Sequence, residues 1–186
     1  AVRYVGYASP GLVCDAVATG EWDIANIGAE PARAQTIAFT EAYCEIEATF
    51  LVPAGSPIRK LGDVDRPGVR IAVAGRAAYG LWLKANIRHA TLVETGGIQE
   101  SFDAFVRDGL EVLAGLRPRL IDDLRLLPGA TILDGQFSAV RQAIGTPLAN
   151  AEAAAWLRAF VEEVKSSGLV AELIRKHQVS GLSVAP

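Results

Sequence analysis

Methionine is absent from this 186-residue chain, and histidine and cysteine occur only twice each. Translation begins with Met, so its absence implies loss of a start residue or a longer leader before Ala1. The chain shows no signal-peptide pattern and so carries no mark of its own compartment. Cys14 and Cys44 lack the spacing of a zinc or redox motif, and two histidines do not make a zinc set. Two thiols or one disulfide both remain open for that pair. No apolar run approaches the roughly 18 residues that span a bilayer. Nor is one sign of charge in large excess: 18 Lys and Arg against 21 Asp and Glu give a net charge of −3, with a pI near 5.4. That balance excludes a strongly basic nucleic-acid binder, so no nucleic-acid partner is expected. The nucleophile elbow, P-loop and dinucleotide-binding glycine patterns are missing too, and no cofactor or metal is expected.

What is present is a globular composition, 51 % apolar and 21 % charged, in a length that suits one domain or two lobes of about 90 residues each. Val2 to Tyr7 alternates and carries β-branched and aromatic residues, which predicts a strand. Leu12, Val13, Ala16 and Val17 fall on one helical face that Gly20 ends. The apolar run from Asp23 to Ile27 predicts a buried strand of a parallel sheet, completing a strand–helix–strand unit. Ala48 to Val52 is a further strand, closed by Pro53-Ala54-Gly55-Ser56-Pro57. The same grammar then repeats. Strands are expected at 69–74, 91–94, 110–115, 130–133 and 140–145, and helices at 77–87, 98–106 and 118–126. Tyr79 and Trp82 are assigned to the core. Asn150 caps an amphipathic helix whose apolar positions include Trp156, Leu157, Phe160 and Val161. Leu169 to Ile174 marks a last helix, and the tail from Val179 is expected to fray.

Alternating strands and helices predict an α/β fold with parallel strands. Residues 1–52 and 138–186 are assigned to one lobe and 53–137 to the other, with a ligand cleft expected at the double crossover.

The stretch Trp22-Asp23-Ile24-Ala25-Asn26-Ile27-Gly28-Ala29-Glu30-Pro31-Ala32-Arg33, followed by Ile37-Ala38-Phe39-Thr40-Glu41-Ala42-Tyr43, resembles the bacterial extracellular solute-binding proteins of family 3. Gly68-Val69-Arg70-Ile71-Ala72-Val73 resembles the strand that opens that family's second lobe. Gly109-Leu110-Glu111-Val112-Leu113-Ala114 resembles its Gly-x-x-Asp-Ala strand. The resemblance implies a two-lobed periplasmic-binding-protein-like fold, a periplasmic location and an ABC transporter permease as partner. It also implies that the first lobe is truncated at its N-terminus by roughly 45–60 residues. An exposed sheet edge would follow, and with it a homodimer through the incomplete lobe.

By the same resemblance Arg33 is the carboxylate clamp, a role suited to a planar, always-charged fork. Asn26, Gly28 and Tyr7 are expected beside it. Arg76-Ala77 stands where the family has Gly-Thr or Gly-Ser. Gly115-Leu116-Arg117-Pro118 stands where it has the Asp that accepts the ligand's ammonium. A buried ammonium with no acceptor is costly. A small organic anion or amino-acid-like carboxylate is therefore expected on Arg33, Arg76 and Arg117, with an unpaired ammonium disfavoured. No enzyme is expected, although a minority of similar proteins are cyclohexadienyl dehydratases, for which Glu30 and Glu94 are the nearest acids. A dimeric relic without ligand is the remaining alternative. Gln142 and Thr146 are expected near the return crossover. His89, His177, Asp122-Asp123 and Glu162-Glu163 are expected on solvated faces.

Overall fold

The computed structural model describes residues 2–186. The chain divides into two compact units, Ala1–Ile46 with Val140–Pro186 (unit 1) and Glu47–Ala139 (unit 2).

Unit 2 is the more regular. Its strands are the later part of β3 (Cys44–Val52), β4 (Arg70–Ala74), β5 (Thr91–Thr95), β6 (Val112–Leu116) and the short β7 (Thr131–Ile132). β4 lies between β5 and β6, parallel to both, while β3 runs antiparallel to β6 and to β7. Helices α2 (Ala78–Asn86), α3 (Ile98–Arg107) and α4 (Arg117–Leu124) each follow one of the parallel strands. The β4 sequence Arg-Ile-Ala-Val-Ala is buried almost throughout, as a central parallel strand requires. Leu51, Ala72, Phe105, Leu110, Leu113 and Leu120 form its core. Arg70 grips Glu111 through Nε and an NH2 group and also donates to the Gly109 carbonyl, closing the opposite rim.

Unit 1 begins with α1 (Pro10–Asp15), capped by the Ser9 side chain and continued by a 3-10 turn to Thr19. Gly20, at φ 68°, ends it in the left-handed conformation that glycine adopts without strain. β1 (Ala25–Gly28) and β2 (Ile37–Phe39) both pair antiparallel with β8 (Ser138–Pro147); Gly145 is the register partner of Ala25 and of Phe39. α5 (Ala151–Ser166) packs on β2, and α6 (Leu169–His177) on β9 (Leu182–Val184).

Several expectations are corrected. Residues 2–7 form no strand: Val2 is 82 % and Tyr4 94 % exposed. Strand propensity has no effect without a partner ladder. β1 pairs antiparallel, not parallel, because an apolar run reports burial on both faces and says nothing of its neighbour's direction. The tail does not fray but pairs as β9 with the first residues of β3. Asp123 is buried and ion-paired to Arg119 at 2.7 Å, not solvated. On α5, Leu157 and Val161 face inward, whereas Trp156 and Phe160 stack on each other in solvent. Tyr79 is buried, but Trp82 is 37 % exposed and rests on Phe137.

α2 approaches β4 so closely that a Cβ on Gly80 would lie inside the radius of the Ala74 carbonyl oxygen. In an open helix Gly→Ala stabilises by about 1 kcal/mol. Here Gly80→Ala is expected to destabilise by about 2–3 kcal/mol, read as a lower urea midpoint.

Candidate functional site

In unit 1 the site is built on the end of β1. After Gly28 the chain turns through Glu30, whose carbonyl accepts from the Arg33 N–H at 2.9 Å and starts the 3-10 turn Arg33–Gln35. This turn carries the Arg33 side chain inward. The residue is only 7 % exposed, and one terminal NH donates to the Gly28 carbonyl at 2.7 Å. A buried guanidinium needs such an acceptor, since burying an unsatisfied charge is costly. Glu30 is half-buried; burial raises its carboxyl above the usual range, and the positive charge of Arg33 only partly offsets this.

The other residues expected here are placed differently. Asn26 is exposed on β1, opposite Ile144. Tyr7 precedes α1 and packs beside Ala16, Trp22 and Ile37. Its hydroxyl donates to Glu21 at 3.0 Å. Thr146 is fully buried and donates to the Asp23 carbonyl, a structural role, and the Gln142 carbonyl accepts from the Tyr43 N–H.

In unit 2 the candidate surface is the rim at the carboxyl ends of β4 and β6, the side on which α/β sheets hold ligands. The two strands are parallel neighbours, so Arg76 and Arg117 leave the sheet on one rim. Arg76 is exposed. Ala77 is the N-cap of α2, extended and with no side-chain cap, so the first N–H groups of that helix have no hydroxyl acceptor from residue 77.

Arg117 is not poised as an open cation. Its Nε donates to the Glu47 carboxylate and its NH2 to the Gly135 carbonyl at 2.7 Å. The neighbourhood read as lacking a carboxylate therefore has one, supplied by β3. In the β3–β6 register Ala48 faces Leu116, which sets Glu47 opposite Arg117. Sequence reading missed Glu47 because the pair is 70 residues apart. The available signal was an acid just before one apolar strand and a base just after another.

Elsewhere in unit 2, Glu94, Glu100, Asp103 and Arg107 line a surface hollow of about 420 Å³. Glu94 is exposed and ion-paired to Lys84 at 3.1 Å, which does not suit a buried acid. Among the described residues no group of His, Cys, Asp and Glu has the arrangement of a metal site, and Cys14 and Cys44 form no disulfide. Burial pushes the Cys44 thiol up to about 11, so it is protonated at neutral pH. No helix among the described residues is long and apolar enough to cross a membrane.

The sequence profile of the bacterial extracellular solute-binding proteins, family 3, matches residues 2–180. The chain belongs to that family. Among curated proteins none matches. Among solved structures, the ancestral amino acid-binding protein AncCDT-1, a precursor of cyclohexadienyl dehydratase, superposes with a TM-score of 0.77 at 20 % identity, over 94 % of this chain and 77 % of that one. Holo ArgBP from T. maritima gives 0.75 at 16 % identity, over 94 % and 76 %. A solute receptor for L-cysteine of Neisseria gonorrhoeae gives 0.76 at 19 %, over 90 % and 68 %. The fold is thus the α/β, two-lobed, periplasmic-binding-protein-like one.

Burial makes ionised Glu30 costly in the folded state, because its carboxyl is raised above 4.5. The native state then binds the proton more tightly than the unfolded chain, and stability is lost as pH rises through the carboxylate range. Glu30→Gln is expected to be more stable than the parent at neutral pH, with the gap closing in acid; thermal melts across that range measure it.

Proposed function

We propose that this chain is the solute receptor of an ABC transporter, holding a small organic anion or amino-acid-like carboxylate, with Arg33 as the carboxylate clamp. The observation that carries this reading is the buried guanidinium directly after β1 in a chain of the solute-binding family. A guanidinium already oriented by the Gly28 carbonyl loses little freedom on meeting a carboxylate, which favours tight charge-assisted bonds. Gly28 serves that clamp as acceptor, while Arg76 and the uncapped start of α2 at Ala77 supply positive potential in unit 2. Asn26 and Tyr7 are lesser candidates, being exposed and tied to Glu21 respectively. A periplasmic location and a permease partner follow from the same family reading.

A dehydratase is the second reading. Glu30 favours it, a half-buried acid with a raised pKa beside Arg33, as a general acid requires. AncCDT-1 is described as the precursor of such an enzyme. Turnover of prephenate or arogenate separates the two, since a receptor leaves both intact.

Self-association through unit 1 is part of the proposal. Among the described residues β1 pairs with β8 alone, and residues 2–7 carry a strand pattern with no ladder, so an open edge and a strand-forming segment lie in one unit. Sedimentation at rising concentration should report a dimer; a monomer at all concentrations excludes it.

Calorimetry against mono- and dicarboxylates and amino acids tests the clamp. Arg33→Ala should weaken the best ligand about 10–100-fold, the worth of one charged hydrogen-bond pair. Arg33→Lys should also bind weakly, because an ammonium lacks the fork. Unchanged affinity in the folded Arg33→Ala variant removes Arg33 from the site.

A further inference from the structure

We propose that the exposed face of α5 in unit 1 is a docking surface for another protein, one that presents an amphipathic helix with Lys or Arg at both ends of its apolar seam. The inference lies beyond the receptor reading and needs neither a ligand nor unit 2.

α5 carries more apolar surface than its own unit buries. Ala154, Leu157 and Val161 turn inward, and the next strip around the helix is Ala155, Trp156, Ala159 and Phe160, all exposed. Trp156 is 65 % and Phe160 38 % exposed, with ring centroids 5.4 Å apart and planes within 6° of parallel. A lone apolar residue at a surface needs no explanation, whereas two large rings stacked one turn apart make a patch. Each ring restrains the other, so a partner meets a surface that is already ordered and gives up less side-chain freedom on contact. Ala155 and Ala159 lie one turn apart beside the rings, and their short side chains leave a groove into which a second helix packs.

The charges on this strip decide what the partner is. Glu152 stands four positions before Trp156 and Glu163 three after Phe160, so a carboxylate closes each end. Both acids are exposed, and neither has a Lys or Arg three or four positions away along the helix. Glu162, off the strip, has Arg158 and Lys165 at those spacings. A second copy of this face does not fit. Antiparallel pairing of two α5 helices about the rings sets Glu152 of one copy beside Glu163 of the other, and parallel pairing sets each acid against its own equivalent. A membrane does not fit either. A helix lying on an anionic lipid surface carries Lys and Arg beside its apolar face, and here that place holds acids. A helix with basic ends meets both features at once. Its apolar side chains cover the rings, and its cations reach two carboxylates about 16 Å apart along the axis. Complementary charge at the two ends then fixes register and excludes acidic partners.

The test uses the whole chain and two fluorescently labelled synthetic helices. They share one Leu and Ala seam and carry either Lys or Glu at two seam-edge positions eleven residues apart. Anisotropy titration measures both affinities. The parent should bind the Lys-ended peptide about tenfold more tightly than the Glu-ended one, a preference that shrinks as salt is added. Glu152→Lys combined with Glu163→Lys should reverse the preference, and Trp156→Ala should weaken the Lys-ended peptide about tenfold. The parent's own preference is informative even if a variant does not fold. No binding of the Lys-ended peptide overturns the proposal, and so does equal binding of the two peptides. Sedimentation and flotation with phosphatidylcholine–phosphatidylglycerol vesicles test the other occupants. A parent dimer that Trp156→Ala abolishes assigns the face to a second copy. Vesicle binding that Trp156→Ala abolishes assigns it to a membrane. Either result overturns the proposal. None of these outcomes involves a bound solute, so the receptor reading stands or falls separately, on Arg33→Ala.

Discussion

A guanidinium that must be buried and yet satisfied is the constraint on which unit 1 turns. β1 ends at Gly28, and the carbonyl there accepts from the fork of buried Arg33. The local order follows from that need. The chain leaves the strand, reverses through Glu30, and enters a single 3-10 turn whose first residue is Arg33. A longer helix would carry the side chain elsewhere. Burial also raises the carboxyl of Glu30 next to it, and the positive charge of Arg33 only partly offsets this. The cation cannot shed its charge, whereas the acid can, so protonation of Glu30 is the easier way for this corner to adjust to burial.

Unit 2 meets a different constraint, set by strand direction. Parallel β4 and β6 deliver their helices to the same rim, and any basic residues that follow them share it. Two cations, Arg76 and Arg117, in one such place would repel without compensation. Antiparallel β3 supplies the compensation, since its register brings Glu47 to the end of β6. The cluster of cations that composition suggests is thereby reduced, and anion selection in the receptor reading falls chiefly on Arg33.

Legibility in the sequence followed the range of the interactions. The repeating strands and helices of unit 2 were legible because an apolar run followed by a helical face is a local pattern. So was the Gly20 stop, which depends on one residue's backbone. The motif from Trp22 to Tyr43 carried the family, and the match over residues 2–180 bears that out. Partners were not legible. Residues 2–7 have a strand pattern and no strand, β1 has the composition of a parallel strand and an antiparallel neighbour, and the tail found β3. Each of these outcomes was decided by a segment far away in the chain. The same limit hid Glu47, whose meaning comes from the residue opposite it.

The Glu47 example also shows why a missing residue type at a motif position is weak evidence about chemistry. At the end of β6 the sequence offers Arg117 where an acid was sought, and local reading concludes that the acid is gone. In three dimensions a sheet gives every rim position two suppliers, the strand itself and its neighbour. A carboxylate from the neighbour is held by a cation on the strand, so an acid reaches that point from across the ladder. The electrostatic requirement acts on the location, not on the position in the chain. A substitution that reverses charge at such a rim is therefore best read together with the residue across the ladder before any ligand is excluded.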